Sequence, residues 1–337
     1  YVGSHVARRL AEAGLGVVVY DNLSRGHPEL AAGLPLVRGD VGDQALLEET
    51  VRRWGIGAVV HLAADSLVGE SVADPRRYFA NNVGQGLAML EALLRCGVRL
   101  LVFSSSAAVY GDPREVPIRE EHPLQPTSPY GESKAFLEAV LRRYDQAYGL
   151  RYVSLRYFNA AGAHPDGDLG EDHDPETHLI PLALGVALGR SARLTVHGGD
   201  YPTPDGTAVR DYVHVCDLAE AHLLALEALR AGAPSAVYNL GTGRGYSVLE
   251  VLAAARRVTG HPIPHEVGPR RPGDPAVLVA SGERAARELG WRPRYADLDA
   301  IVATAWRWHR RRHGRAGGPV GDAPGTRRGR APHDAVE

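Results

Sequence analysis

Through the first half of the chain, short apolar runs alternate with segments whose apolar residues recur every three or four positions, which predicts parallel strands joined by crossover helices. The runs predict strands over 16–20, 34–38, 58–62, 100–104 and 152–156. Between them the helical spacing predicts helices over 5–13, 44–54, 75–96 and 128–148. After about residue 158 the pattern loosens into connections rich in Gly, Pro and Asp, which implies a smaller lobe with fewer strands. A strand at 236–240 ends in Gly241-Thr242-Gly243 and is placed to rejoin the sheet, followed by a helix at 248–259. The last helical pattern runs from Leu298 to about Arg312, and the Gly- and Arg-rich stretch beyond it reads as a disordered tail. No internal repeat interrupts this order.

The expected fold class is α/β: a Rossmann-like doubly wound parallel sheet with a smaller mixed α/β substrate lobe. The division predicted is 1–157 for a dinucleotide-binding domain, with a segment near 206–243 rejoining it, 158–312 for the second lobe and 313–337 for the tail. The chain opens at Tyr1 directly on a helical pattern, so the first strand of such a sheet is expected to lie ahead of it. A leader ahead of Tyr1 stays open as well.

Composition narrows the function class. A chain of 337 residues with 44% apolar content can bury a sizeable core. A formal net charge of −2 leaves no electrostatic footprint for nucleic acid or a membrane surface. No apolar run reaches the ~18 residues of a membrane span. Cys96 and Cys216 are too few for a disulfide framework, which favours a reducing, cytoplasmic setting.

Y-V-G-S-H-V-A-R-R-L at the start looks like the end of a phosphate-binding turn entering its helix, with Gly3 as the last glycine of the turn. About one strand–helix unit later, Asp21 closes V-V-V-Y-D, where a carboxylate accepts hydrogen bonds from a ribose and disfavours a 2′-phosphate. These features point to NAD. Asp40-Val41, His61-Leu62-Ala63-Ala64 and Asn81 follow later strands, where ligands of parallel sheets collect. Two further turn glycines and a strand, roughly ten residues, would complete the motif.

Of the 38 Lys and Arg residues only Lys134 is a lysine, and it stands four residues after Tyr130 in S-P-Y-G-E-S-K. On a helix that spacing puts both side chains on one face. A free phenol, with a pKa of ~10, is a poor base at neutral pH. A neighbouring ammonium, the helix terminus and a bound nicotinamide cation are each expected to lower that value. An ammonium also donates to ribose hydroxyls in a way a planar guanidinium does not reproduce. The strand L-L-V-F runs into Ser104-Ser105-Ser106, which places the Ser106 hydroxyl where it can bridge substrate and Tyr130.

Together these residues resemble the extended short-chain dehydrogenase/reductase family, and within it the UDP-hexose 4-epimerase branch, over residues 1 to about 310. D-N-L-S-R-G-H at 21, F-S-S-S-A-A-V-Y-G at 103, R-Y-F-N-A-A-G-A at 156, Y-N-L-G-T-G at 238 and P-R-R-P-G-D-P-A at 269 carry the likeness. It implies interconversion of UDP-glucose and UDP-galactose through a 4-keto sugar, with Tyr130 as base, Ser106 as relay and Lys134 as electrostatic partner. It assigns NAD contacts to Gly3, Asp21, Asn22, Asp40, Val41, Leu62, Ala63, Ala64, Asn81 and Phe158, besides the three catalytic side chains. UDP-sugar contacts fall, beside Ser106 and Tyr130, on Asn159, His178, Leu179, Thr195, His197, Arg210, Arg271, Asp274 and Val277. Arg210 and Arg271 suit two phosphates on chemical grounds too, since guanidinium forks bind them well.

The likeness also has departures. Ser66 and His197 stand where many members carry a lysine and an aromatic, and Val277 stands where some carry a bulky tyrosine. The smaller side chain suggests room for a 2-acetamido group, so UDP-N-acetylglucosamine and UDP-N-acetylgalactosamine enter as further substrates. A nucleotide-sugar 4,6-dehydratase is the nearest alternative, but Ala107-Ala108 occupy the place of its Asp-Glu pair. A non-catalytic NAD-sensing protein is a second alternative. A homodimer is expected and no nucleic-acid or membrane partner. The oxygen-rich stretch 164–176 lacks calcium-loop spacing and is expected to be a solvated loop with no metal.

Overall fold

Val2, Val6 and Leu10 share one face at helical spacing, and α1 (Val2–Glu12) buries Val6 and Leu10 in the main core. The structure is a computed structural model that describes residues 1–314, apart from residues 32 and 272. The expected tail lies largely outside the described residues; His313 still closes the last helix.

After α1 come β1 (Val19–Asp21), β2 (Leu36–Arg38), α2 (Gln44–Trp54), β3 (Val59–His61), α3 (Val68–Ala73) and α4 (Pro75–Tyr78). A π-helical turn, Phe79–Gln85, leads into α5 (Gly86–Arg95), so the single helix expected over 75–96 is three pieces. Then follow β4 (Leu100–Ser106), α6 (Pro129–Tyr148) and β5 (Arg151–Tyr157). Each strand predicted for this half is present, three of them trimmed to three residues.

The second half holds more strand than its loose pattern suggested. It contains β6 (Asn159–Ala161), α7 (Leu179–Ala187), β7 (Leu194–His197), β8 (Val209–His214), α8 (Val215–Arg230), β9 (Ala236–Leu240) and β10 (Gly245–Ser247). It ends with α9 (Val248–Thr259), β11 (His265–Gly268), β12 (Val277–Leu278), α10 (Glu283–Glu288) and α11 (Leu298–His313). Strands of two to four residues leave too little alternation to be read from sequence. β8 and α8 are longer, but their apolar runs merge without a turn signal between them.

The main sheet has the order β3-β4-β5-β9 with every pair parallel, and β1 and β2 form a separate parallel pair. β1 and β3 both border the large cleft, and no described strand lies between them. α8 packs on β4, β5 and α1, while α5 and α6 close the opposite face over Leu90, Leu93, Leu137 and Leu141. Segment 206–243 is therefore split: α8 and β9 join the main sheet, and β8 joins the second lobe's sheet in the order β10-β8-β12, with β6 also on β8. β7 and β11 pair separately, and α7, α9 and α11 gather behind these sheets over a second core.

Candidate active site

Helix α6 starts sharply. Ser128 Oγ accepts from Gly131 N at 3.2 Å, and Pro129 occupies the first turn, where its missing N–H costs nothing. Gly131 lies against the Ala108 carbonyl so closely that a side chain there would collide with it. This contact brings the first turn of α6 onto the end of β4. Tyr130, Lys134 and Glu138 follow at i, i+4 and i+8, with exposures of 9%, 2% and 6%. Lys134 Nζ donates to the Ser104 carbonyl at 2.8 Å, 5.0 Å from the Phe103 ring centre and 5.8 Å from that of Tyr130. Ser106 ends β4 on the cleft wall, where its hydroxyl accepts from Ala108 N at 3.2 Å.

The electrostatics differ from the sequence expectation. Burial pushes the Tyr130 phenol above its ordinary value, and only the Ser106 hydroxyl pulls the other way. Burial also lowers Lys134 to about 8, against the opposing pull of Glu138. The ammonium faces rings and a carbonyl oxygen, so the protein alone does not acidify the phenol. It does keep a cation buried one helical turn below it.

That arrangement rests on side chains that sequence reasoning missed. Glu138 pairs with Arg156 at 2.5 and 2.9 Å and accepts from Ser105 Oγ at 2.5 Å. Arg156 donates to Tyr110 Oη at 2.8 Å, and Tyr110 donates to Asn239 at 2.6 Å. The lattice thus joins α6 to β4, β5 and β9. Tyr157 Oη and Ser104 Oγ stand 2.5 Å apart beneath the site. Asn82, in the π-helical turn, accepts from Asp65 N at 2.9 Å and donates to Ser133 Oγ at 3.0 Å. The one available signal was Glu138, which continues the Tyr130–Lys134 spacing by one more turn.

Most residues expected at the cofactor line one cleft of about 2210 Å³: Gly3, Asp21, Asn22, Val41, Leu62, Ala63, Ala64, Asn81 and Phe158, with Ser106, Tyr130 and Lys134. Asp40 does not line it. Its carboxylate accepts from Gly42 N at 2.9 Å and from Asn22 Nδ2 at 3.1 Å, shaping the loop behind Asn22. Asp21 Oδ1 accepts from Leu23 N at 2.7 Å, which leaves Oδ2 for a ribose. No side chain caps α1 and no acid occupies its first turn, so its N–H groups suit a pyrophosphate. The residues present therefore fit a dinucleotide.

The same cleft takes in Asn159, His178, Leu179, Thr195, His197, Arg210, Arg271 and Asp274. Arg210 is buried, donates to the Val209 carbonyl at 2.8 Å and forms an ion pair with Asp274. Arg271 is exposed on the rim. Val277 is not in the cleft wall; the next residue, Leu278, is. Successive strand side chains point to opposite faces, so at this strand Leu278 is the side chain that borders the cleft.

Nor is the oxygen-rich stretch simply solvated. Asp166, Asp168, Asp174 and Pro175 are exposed, but Glu171 is buried, with His178 Nδ1 at 2.9 Å and His173 Nδ1 at 3.2 Å. Burial works to raise the Glu171 carboxyl, yet the two imidazoles outweigh it and hold it at about 2.

Residues 1–241 match the model of the NAD dependent epimerase/dehydratase family. The chain is 52% identical over 310 residues to a UDP-glucose 4-epimerase of Lacticaseibacillus casei, covering 92% of this chain and 94% of that one. The Brucella ovis UDP-glucose 4-epimerase, solved in complex with NAD, superposes with a TM-score of 0.89 at 49% identity, covering 91% of this chain and 95% of that one. The Bifidobacterium longum enzyme of the same name, solved with NAD+ and UDP, gives 0.88 at 40% identity over 92% and 96% of the two chains.

Proposed function

The chain belongs to the NAD dependent epimerase/dehydratase family, and from that premise we propose that it interconverts UDP-glucose and UDP-galactose through a 4-keto sugar. The observation that carries the reading is the buried Tyr130–Lys134 pair opening, with Ser106, into the cleft that also holds Asp21 and Arg210.

Tyr130 is the base that takes the proton of the sugar 4-hydroxyl and later returns it. Bound NAD supplies the hydride acceptor and donor for C4 and a positive ring charge that favours the Tyr130 phenolate. Ser106 bridges the sugar oxygen and Tyr130, and Lys134 holds its ammonium under the phenol. Arg210, oriented by Asp274, and Arg271 receive the diphosphate. Asp21 and the first turn of α1 hold the cofactor's adenosine end. Because hydride must return to the opposite face, the sugar has to turn while the nucleotide stays gripped. Strong contacts therefore belong on the diphosphate side and sparse ones around the hexose.

Ala107 and Ala108 line the cleft at the end of β4 and offer no acid for removing water, which argues against a 4,6-dehydratase. A homodimer in the cytoplasm is the proposed state. Phe136, 50% exposed on α6, is an apolar side chain open to a second copy, and Cys96 and Cys216 are unpaired thiols. No described helix is long and apolar enough to cross a membrane. For 2-acetamido sugars we propose acceptance on the ground that an aliphatic Leu278, and no bulky aromatic, borders the cleft at this strand.

The test is a spectrum of the purified protein for bound NAD, followed by incubation with UDP-galactose and product analysis. UDP-glucose is the expected product. Retained NAD without turnover would leave an NAD-sensing protein in its place.

A further inference from the structure

We propose that Glu171, His173, Glu176 and His178 form a closed zinc site that fixes the segment leading into α7. Their donor atoms all lie within 4.8 Å of one another. His178 Nδ1 stands 2.9 Å from Glu171 and 3.0 Å from Glu176, and His173 Nδ1 stands 3.2 and 3.8 Å from the same two residues. Zinc bonds of ~2.0–2.1 Å in a tetrahedron imply donor–donor edges of about 3.3 Å, close to the 2.9 and 3.2 Å approaches of the two imidazoles to Glu171 Oε1 and the 3.0 Å approach of His178 to Glu176 Oε1.

A hydrogen-bonded cluster without a metal explains less. One imidazolium at His178 satisfies both carboxylates. His173 Nδ1 is then buried without a satisfied hydrogen bond among the described residues, although it stands 3.2 Å from Glu171 and 3.8 Å from Glu176. A nitrogen lone pair aimed at two carboxylates is what a cation would occupy. The neighbouring group His164, Asp166 and Asp168 makes the contrast, since Arg8 already pairs with both aspartates at 3.0 and 2.7 Å.

The surroundings hold the ligands in place. Trp308 Nε1 donates to the Glu171 carbonyl at 2.9 Å, Gly170 is pressed against the Trp308 ring, and Arg312 pairs with Asp172 at 2.8 Å. Two imidazoles with two carboxylates favour zinc over the all-oxygen ions calcium and magnesium. Four protein ligands leave no open position, so the role is structural. The ion would fix the His178 ring at the head of α7 and leave only its Nε2 for the cleft.

The test uses the full chain stripped with a chelator. Titration with zinc alone is expected to give one ion per chain with submicromolar affinity and a rise in melting temperature. Cobalt(II) is expected to give the intense visible bands of a tetrahedral site, removed by zinc and not by calcium. His173→Gln and Glu176→Gln should each weaken zinc binding at least about tenfold. Absence of stoichiometric zinc, a weak octahedral cobalt spectrum, or variants that bind as well as the parent would each overturn the proposal. The cobalt spectrum of the unmodified chain decides even if a variant fails to fold.

Discussion

The face of α6 that carries Tyr130 and the rim that carries Arg271, Thr195 and His197 border the same cleft, yet they spend their polar groups differently. On α6, Lys134 and Glu138 are buried and committed to Ser104, Ser105 and Arg156. On the rim, Arg271 and Thr195 are exposed, and Thr195 has only a 3.3 Å contact with Glu266. A proton relay needs fixed positions before substrate arrives, whereas a diphosphate can be gathered by side chains that settle on it. Changes on α6 should therefore cost stability or turnover, and changes on the rim should cost affinity.

Acid tests the buried interior of both lobes more broadly than either side of the cleft. Burial lowers His61 and His214 to about 3 and His5, His222 and His309 to about 4. The unfolded chain takes up these protons as pH falls below ~6.5, while the folded chain resists until pH 4 or lower, so stability is lost as pH falls through that window. Thermal melts at pH 7 and 4.5 should show a large drop in midpoint. Equal midpoints would show that these rings are not held neutral.

Glu138→Gln should cost about 3–5 kcal/mol of folding stability, because it leaves the Arg156 guanidinium buried without its carboxylate. Urea unfolding measures it, and a loss below about 1 kcal/mol would mean the lattice does not brace α6. Arg271→Ala on the rim should leave the melt unchanged and raise KM for UDP-galactose about tenfold or more, a loss typical of one charge-assisted contact, with little change in kcat. A fall in kcat alone would contradict the division. Leu278→Tyr is the smallest change: it should lower turnover of the 2-acetamido sugar relative to UDP-galactose by several-fold, with stability intact. An unchanged ratio would remove Leu278 from the sugar's border.

Much of this was legible in the chain. Tyr130 and Lys134 share a face of α6 by helical spacing alone, and Ser106 was placed at the cleft by its position at the end of β4, though its approach to them depends on the close contact of Gly131 with Ala108. Helices α2 and α9 have the bounds that their periodicity predicted. What escaped depends on long-range contact. Arg156 meets Glu138 across 18 residues and Tyr110 across 46, and no local pattern announces either. Leu278 lines the cleft where Val277 does not, and a two-residue strand has no alternation to show in advance which side chain faces which way. The phenol's raised pKa is a product of burial, invisible before packing is known.

The most direct test is single-turnover reduction of the bound cofactor by UDP-galactose, followed through the absorbance of reduced nicotinamide, in the unmodified chain and in Tyr130→Phe. A loss of at least about a hundredfold is expected in the variant, with melting temperature and UDP affinity unchanged. Reduction at the parental rate in Tyr130→Phe would contradict it.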